Sequence, residues 1–163
     1  MNVFRKHAAG WLLCWVAAAG AQVPVTPDPD HAAMLASSDP RLAANKRLVY
    51  DFYREVFEAG RMELADKYLA EDYVQHNPNV PTGRKGFVDV FSRVAKRADV
   101  IEPRMKRPLV SIVAERDLVW MAFPREYPDP KDSAQKYTTT WFDVFRIRDG
   151  RIVEHWDSAL RRP

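Results

Sequence analysis

Cysteine is nearly missing from this chain: Cys14 is the only one among 163 residues. It lies in an N-terminal stretch that reads as an export signal, so the remainder holds no thiol. That excludes a disulfide framework, a thiol nucleophile and a cysteine-ligated metal centre. Glycine is scarce too, with six in all. Gly83 and Gly86 stand at the start of a helical run but lack the longer glycine pattern of a phosphate loop. No serine occupies a nucleophile elbow. The apolar run Trp11 to Ala18 falls well short of the ~20 residues that span a bilayer. Basic residues are spread out: the densest run, Arg104-Met105-Lys106-Arg107, carries three charges. A nucleic-acid reader needs a concentrated basic face. Neither a nucleic-acid nor a membrane partner is therefore expected.

The N-terminus has the form of a secretory signal. Arg5 and Lys6 give a positive start, Trp11 to Ala18 an apolar middle, and Ala19-Gly20-Ala21 a small-x-small cleavage site. Residues 1–21 are expected to be removed, leaving 142 of the 163 residues, starting at Gln22, in the periplasm. Cleavage removes two of the 25 basic residues and leaves 23 against 22 acidic, so the formal net charge falls from +3 to +1. What remains is the length of one domain. Residues 22–38, with Pro24, Pro27 and Pro29, read as a flexible arm, and residues 39–163 as the single folded domain.

Asp39-Pro40 starts a helix well, with Asp as N-cap and Pro at the first helical position. Leu48/Val49, Phe52/Tyr53 and Val56/Phe57 recur at helical spacing, and Gly60 ends the run. A short helix is predicted over Glu63 to Leu69 and a third over Gly83 to Arg97, with Tyr73 to Pro81 irregular between them. Strands are predicted at Pro108 to Glu115, Leu118 to Phe123, Tyr137 to Ile147 and Arg151 to Ser158. Pro124 to Ala134 reads as a loop. Helices first and an antiparallel meander after is the α+β class.

Four strings carry a family resemblance: Tyr73-Val74-Gln75-His76-Asn77-Pro78; Pro81 to Phe87; Phe142-Asp143-Val144-Phe145-Arg146; and Asp149-Gly150-Arg151-Ile152-Val153-Glu154-His155-Trp156-Asp157. Together they resemble the SnoaL-like polyketide-cyclase group of the nuclear-transport-factor-2-like superfamily, over roughly Asn45 to Asp157. The resemblance implies a cone-shaped barrel in which a curved antiparallel sheet wraps around the N-terminal helices. It implies a pocket at the open end, a homodimer, and acid/base chemistry next to a carbonyl without metal or organic cofactor. The superfamily also holds non-enzymatic binding and protein-interaction modules. By motif, the acid/base aspartate of the cyclases maps onto Asp143, and His76 lies in the group's tyrosine-x-glutamine-histidine-asparagine signature.

The residues themselves support two readings. Asp143 sits in an apolar run, where a carboxylate is either hydrogen-bonded or disfavoured as an anion. It is a candidate base, or it holds the sheet together. Strand parity points Arg146 to the opposite face, away from Asp143. His76 is a candidate proton partner or a structural donor. Tyr73, Phe87, Phe91, Trp141, His155, Trp156 and Asp157 are the candidate lining for a small apolar or carbonyl-containing molecule. Hairpin register decides part of this set. A two-residue turn puts Asp143 opposite Trp156 with Glu154 alongside; a three-residue turn puts it opposite His155. Two histidines and carboxylates can bind a metal, but no tight ligand pair is present, and none is expected.

Overall fold

The structure, a computed structural model, describes residues 22–162. The expected signal peptide, residues 1–21, lies outside the described residues. The element order is α1 (His31–Leu35), α2 (Pro40–Phe52), a wider helical turn (Tyr53–Glu58), a 3₁₀ turn (Met62–Leu64), α3 (Ala65–Tyr68), β1 (Leu69–Gln75), α4 (Arg84–Phe91), β2 (Ser111–Glu115), β3 (Leu118–Pro128), β4 (Lys136–Arg148) and β5 (Arg151–Asp157).

Asp39 caps α2 as the sequence predicts: its carboxylate accepts from the Arg41 and Leu42 backbone N–H groups, with Pro40 at the first position. Past Phe52 the helix widens into i→i+5 bonding, and Gly60, at φ +63°, ends it. Only glycine fits there, because a Cβ would stand 2.5 Å from the Lys96 carbonyl oxygen. Val49, Phe52, Tyr53 and Val56 are all buried, and Phe52 and Tyr53 pack edge-on to Phe145 of the sheet.

The α+β reading holds, but the barrel does not. The sheet is open, in the order β1-β5-β4-β3-β2, and is neither closed nor strongly curled. Its end strands β1 and β2 do not pair. It is also mixed rather than antiparallel, since β1 runs parallel to β5. Helices α1 and α2 pack beside β2, and α3 and α4 beside β1. Helices therefore complete the enclosure that closed strands would supply in a barrel.

Three local expectations also change. Leu69 to Gln75 is an edge strand, not part of a helix and an irregular segment. Its Ala70-Glu71-Asp72 has low strand propensity, and the charges are those of an exposed edge. Strand β3 runs on to Pro128, through the expected loop. Beyond Ala122 it pairs only with β4, so Pro124 and Pro128 lie where one side needs no N–H donor. Helix α4 stops at Phe91, and the chain turns so that Ala98 N–H reaches the Ala59 carbonyl beside Gly60.

Residues 22–38 lie along the domain. Val25 N–H donates to Thr138 Oγ1 at 2.8 Å, Asp28 N–H to the Leu109 carbonyl, and His31 Nδ1 is 2.8 Å from the Tyr50 hydroxyl. Buried Lys46 donates to the Met34 and Ala36 carbonyls.

Candidate functional site

A cavity of about 270 Å³ lies between the helical face of Phe52, Tyr53 and Phe57 and the inner face of the sheet. Phe87 and Phe91 of α4 close one side, and Asp143, His155 and Asp157 provide acid/base groups. An outer vestibule of about 430 Å³ shares Asn77, Val80, Phe91, Arg125 and Trp141 with it.

Register brings the acid/base groups together. Asp149 (φ 52°) and Gly150 (φ 70°) form a two-residue turn of the hairpin kind. Ile147 then pairs with Ile152, which by itself would carry Glu154 and Trp156 to the Asp143 face. One extra residue on β5, Val153, shifts the ladder before Glu154 pairs with Arg146. Asp143 consequently pairs with Asp157, and Phe145 with His155, all on the inner face. Neither simple register describes the whole hairpin; the bulge combines the two-residue turn with an inward His155.

Asp143 is 4% exposed and accepts from three sides. The Tyr53 hydroxyl donates to Oδ2, Trp141 Nε1 donates to Oδ1 at 3.1 Å, and His155 Nε2 lies 3.0 Å from Oδ1. Gln75 orders the imidazole. Its Oε1 accepts from the Asn77 backbone N–H at 2.9 Å, which sets the orientation of the amide. The same oxygen is 2.8 Å from His155 Nδ1, so Nδ1 carries a hydrogen. Nε2 then meets Asp143 as a hydrogen bond only with a proton between them. The pair is an imidazolium against a carboxylate or an imidazole against a carboxylic acid, with one proton held by two bases.

Gln75 Nε2 donates to the Tyr73 hydroxyl at 2.9 Å, and Tyr73 finds no acceptor of its own among the described residues. Burial, then the Asp143 and Asp157 carboxylates, push the Tyr73 phenol far above its ordinary value. It stays a donor at all physiological pH, aimed from the cavity wall. Burial and the same Asp143 charge raise Tyr53 likewise.

Asp157 accepts from Asn77 Nδ2 at 2.6 Å and from the Ala159 N–H. One ligand atom each from Asp143, His155 and Asp157 lies within 4.8 Å of the others. A cation here would displace the His155–Asp143 contact and compete with the Tyr53, Trp141 and Asn77 donors, so the donor set fits a proton better than a metal.

The structure brings together most of the candidates read from the sequence: Asp143, Tyr73, Phe87, Phe91, Trp141, His155 and Asp157 all line the cavity. It does not bring His76 or Trp156 there. His76 continues the β1 ladder through its N–H to the His155 carbonyl, and alternation turns its ring to the outer sheet face. There it stacks on Trp156 at 5.1 Å and lies 2.8 Å from Glu154 Oε1, whose carboxyl this contact, with Arg146, holds below the usual range. Arg146 is on that same outer face, paired with Asp117 and Glu154, as strand parity predicts. Sequence reasoning assigned no role to Tyr53, Gln75, Asn77, Arg107 or Arg125. The signal for two of them was period-2 spacing: read as a strand, Tyr73, Gln75 and Asn77 share one face and His76 the other.

A family described as SnoaL-like domain matches residues 49–155, more than half of the chain. No curated protein matches it. Among solved structures, a candidate SnoaL-like polyketide cyclase from Jannaschia sp. CCS1 is similar at 15% identity and a TM-score of 0.51, covering 76% of this chain and 91% of that one. A candidate polyketide cyclase from Acidithiobacillus ferrooxidans is similar at 19% identity and 0.50, covering 75% and 89%. An LEH-like epoxide hydrolase from M. tuberculosis is similar at 17% and 0.50, covering 72% and 84%. At these identities the likeness is one of fold.

Proposed function

The chain belongs to the SnoaL-like domain family, and from that membership we propose that its cavity binds a small, largely apolar carbonyl compound and moves a proton at the carbon beside the carbonyl. The observation that carries this reading is the Asp143–His155 pair, which holds one proton at the wall of an aromatic chamber. In the imidazolium form Asp143 is a carboxylate and the base. His155 already carries both ring protons in that form, so the proton taken from the substrate rests on Asp143 until it exchanges with solvent or returns to carbon, and Gln75 keeps the Nε2–H turned toward Asp143. Enolate charge developing on the substrate oxygen needs a donor. Tyr73 fills that role, which sequence reasoning gave to His76. No cofactor is invoked. Solvent-deuterium incorporation into 1-indanone, followed by mass, tests the reading; incorporation above the buffer rate supports it.

A second reading has an observation of its own. Three donors already converge on Asp143, as they would on a purely structural carboxylate. A binding module would then hold ketones without exchange. Saturable 1-indanone binding with no deuterium uptake would select that reading.

The outer sheet face supports a homodimer. Trp120 and Phe142 are each 46% exposed there and Val113 55%, a larger contiguous apolar surface than single scattered side chains.

A further inference from the structure

Two arginines line the chamber without a carboxylate partner. Arg107 and Arg125 both face it, and among the described residues neither guanidinium makes a salt bridge or a hydrogen bond. The other half-buried arginines have partners, as Arg54 with Asp51 and Arg146 with Glu154. Arg125 Nε is sealed from solvent with no partner, an arrangement that native structures seldom leave unexplained.

Their positions are fixed by aromatic rings rather than by anions. The Arg125 guanidinium lies 4.7 Å from the Trp141 ring centroid, and Arg107 lies 4.9 Å from that of Phe123. Stacking holds each planar fork while its N–H edges stay open. Arg125 also borders both the inner chamber and the vestibule. Trp141, on which Arg125 stacks, donates to Asp143. One indole ring thus separates the arginine from the proposed base.

We propose that the ligand of this cavity is an organic anion: a keto acid whose carboxylate is held by Arg125 and Arg107 while its carbonyl-bearing end lies against Asp143. This rests on the reading of the cavity as a carbonyl-binding site and names the substrate class for it. A guanidinium fork matches a carboxylate in two parallel hydrogen bonds. Asp143 and Asp157 in the same chamber penalise a second negative charge, so a monoanion fits better than a phosphate dianion. With one indole ring between Arg125 and Asp143, carboxylate and ketone sit on one small molecule, a few bonds apart.

The test uses 4-oxo-4-phenylbutanoate and its methyl ester, which differ in that charge and by one methyl group. Calorimetric titration of the full protein is expected to show the acid binding at least tenfold tighter than the ester, with the gap shrinking as salt rises. Arg125→Gln should bring the ratio near one, and Arg125→Lys should leave part of it. Ester binding equal to or tighter than the acid overturns the inference while leaving the carbonyl-binding reading standing. An acid preference unchanged in both Arg125→Gln and Arg107→Gln also overturns it. Binding of neither compound removes both readings. Should a variant fail to fold, the acid-to-ester ratio on the wild-type protein decides alone.

Discussion

His155 Nε2 stands 3.0 Å from Asp143 Oδ1, although the cross-strand partner of Asp143 is Asp157. The contact is diagonal, and one bulged residue on β5 creates it. Had Val153 paired in a regular ladder instead of bulging, the two-residue turn would have set Glu154 on the Asp143 face and left His155 outside.

Gln75 is a positioning residue for that contact. Gln75→Leu is expected to lower deuterium exchange into a saturating ketone by about tenfold or more, with little change in KM. Nitrogen-15 spectra should show His155 losing its fixed Nδ1–H form, and Gln75→Glu, which keeps an acceptor, should restore it. An unchanged tautomer in Gln75→Leu would remove Gln75 from the account.

Alkaline pH should destabilise the fold. Burial and the Asp143 charge raise Tyr53 well above its ordinary 10.0; burial, with Asp143 and Asp157, does the same for Tyr73; and burial, with the Glu55 contact, raises Tyr68 to about 12. In the unfolded chain these phenols ionise near pH 10. Above that the folded state binds more protons than the unfolded one, so stability is full below pH 10 and falls as pH rises beyond it. Thermal melts should therefore drop above about pH 10, with a shallower slope in Tyr53→Phe. Complete tyrosinate absorbance at about pH 11 in a still-folded protein would contradict this.

The outer face yields a separate expectation. Light scattering on the wild-type protein should give a dimer, and Trp120→Glu, which places a charge in the apolar face, a monomer. A wild-type monomer at all concentrations would dismiss the dimer.

Export is equally direct to check. N-terminal sequencing of protein recovered from a bacterial periplasm should begin at Gln22. Full-length chain retained in the cytosol would count against the signal peptide.

Much of this was legible in the residues because local rules and tertiary structure agree. Asp39-Pro40 and Gly60 bracket a helix whose apolar face reaches the sheet, and Asp149-Gly150 makes one of the two turns its sequence allows. The failures share a cause: they depend on pairing partners that no local pattern names. Pro124 is tolerated in β3 only because β2 is short. His76 is turned outward only because Leu69 to Gln75 joins β5 as an edge strand. Closure into a barrel depends on whether the end strands meet, and here helices lie beside both.

The measurement that bears most directly on the central claim is the ratio of ketone exchange rates between wild type and Asp143→Asn. The asparagine can accept from Tyr53 and donate to the bare Nε2 of His155, losing only the Trp141 bond, so the substitution should cost about 1 kcal/mol and leave a cooperative melt. The account predicts that exchange into 1-indanone falls at least roughly 100-fold in that folded variant. Exchange at the wild-type rate in folded Asp143→Asn would contradict it.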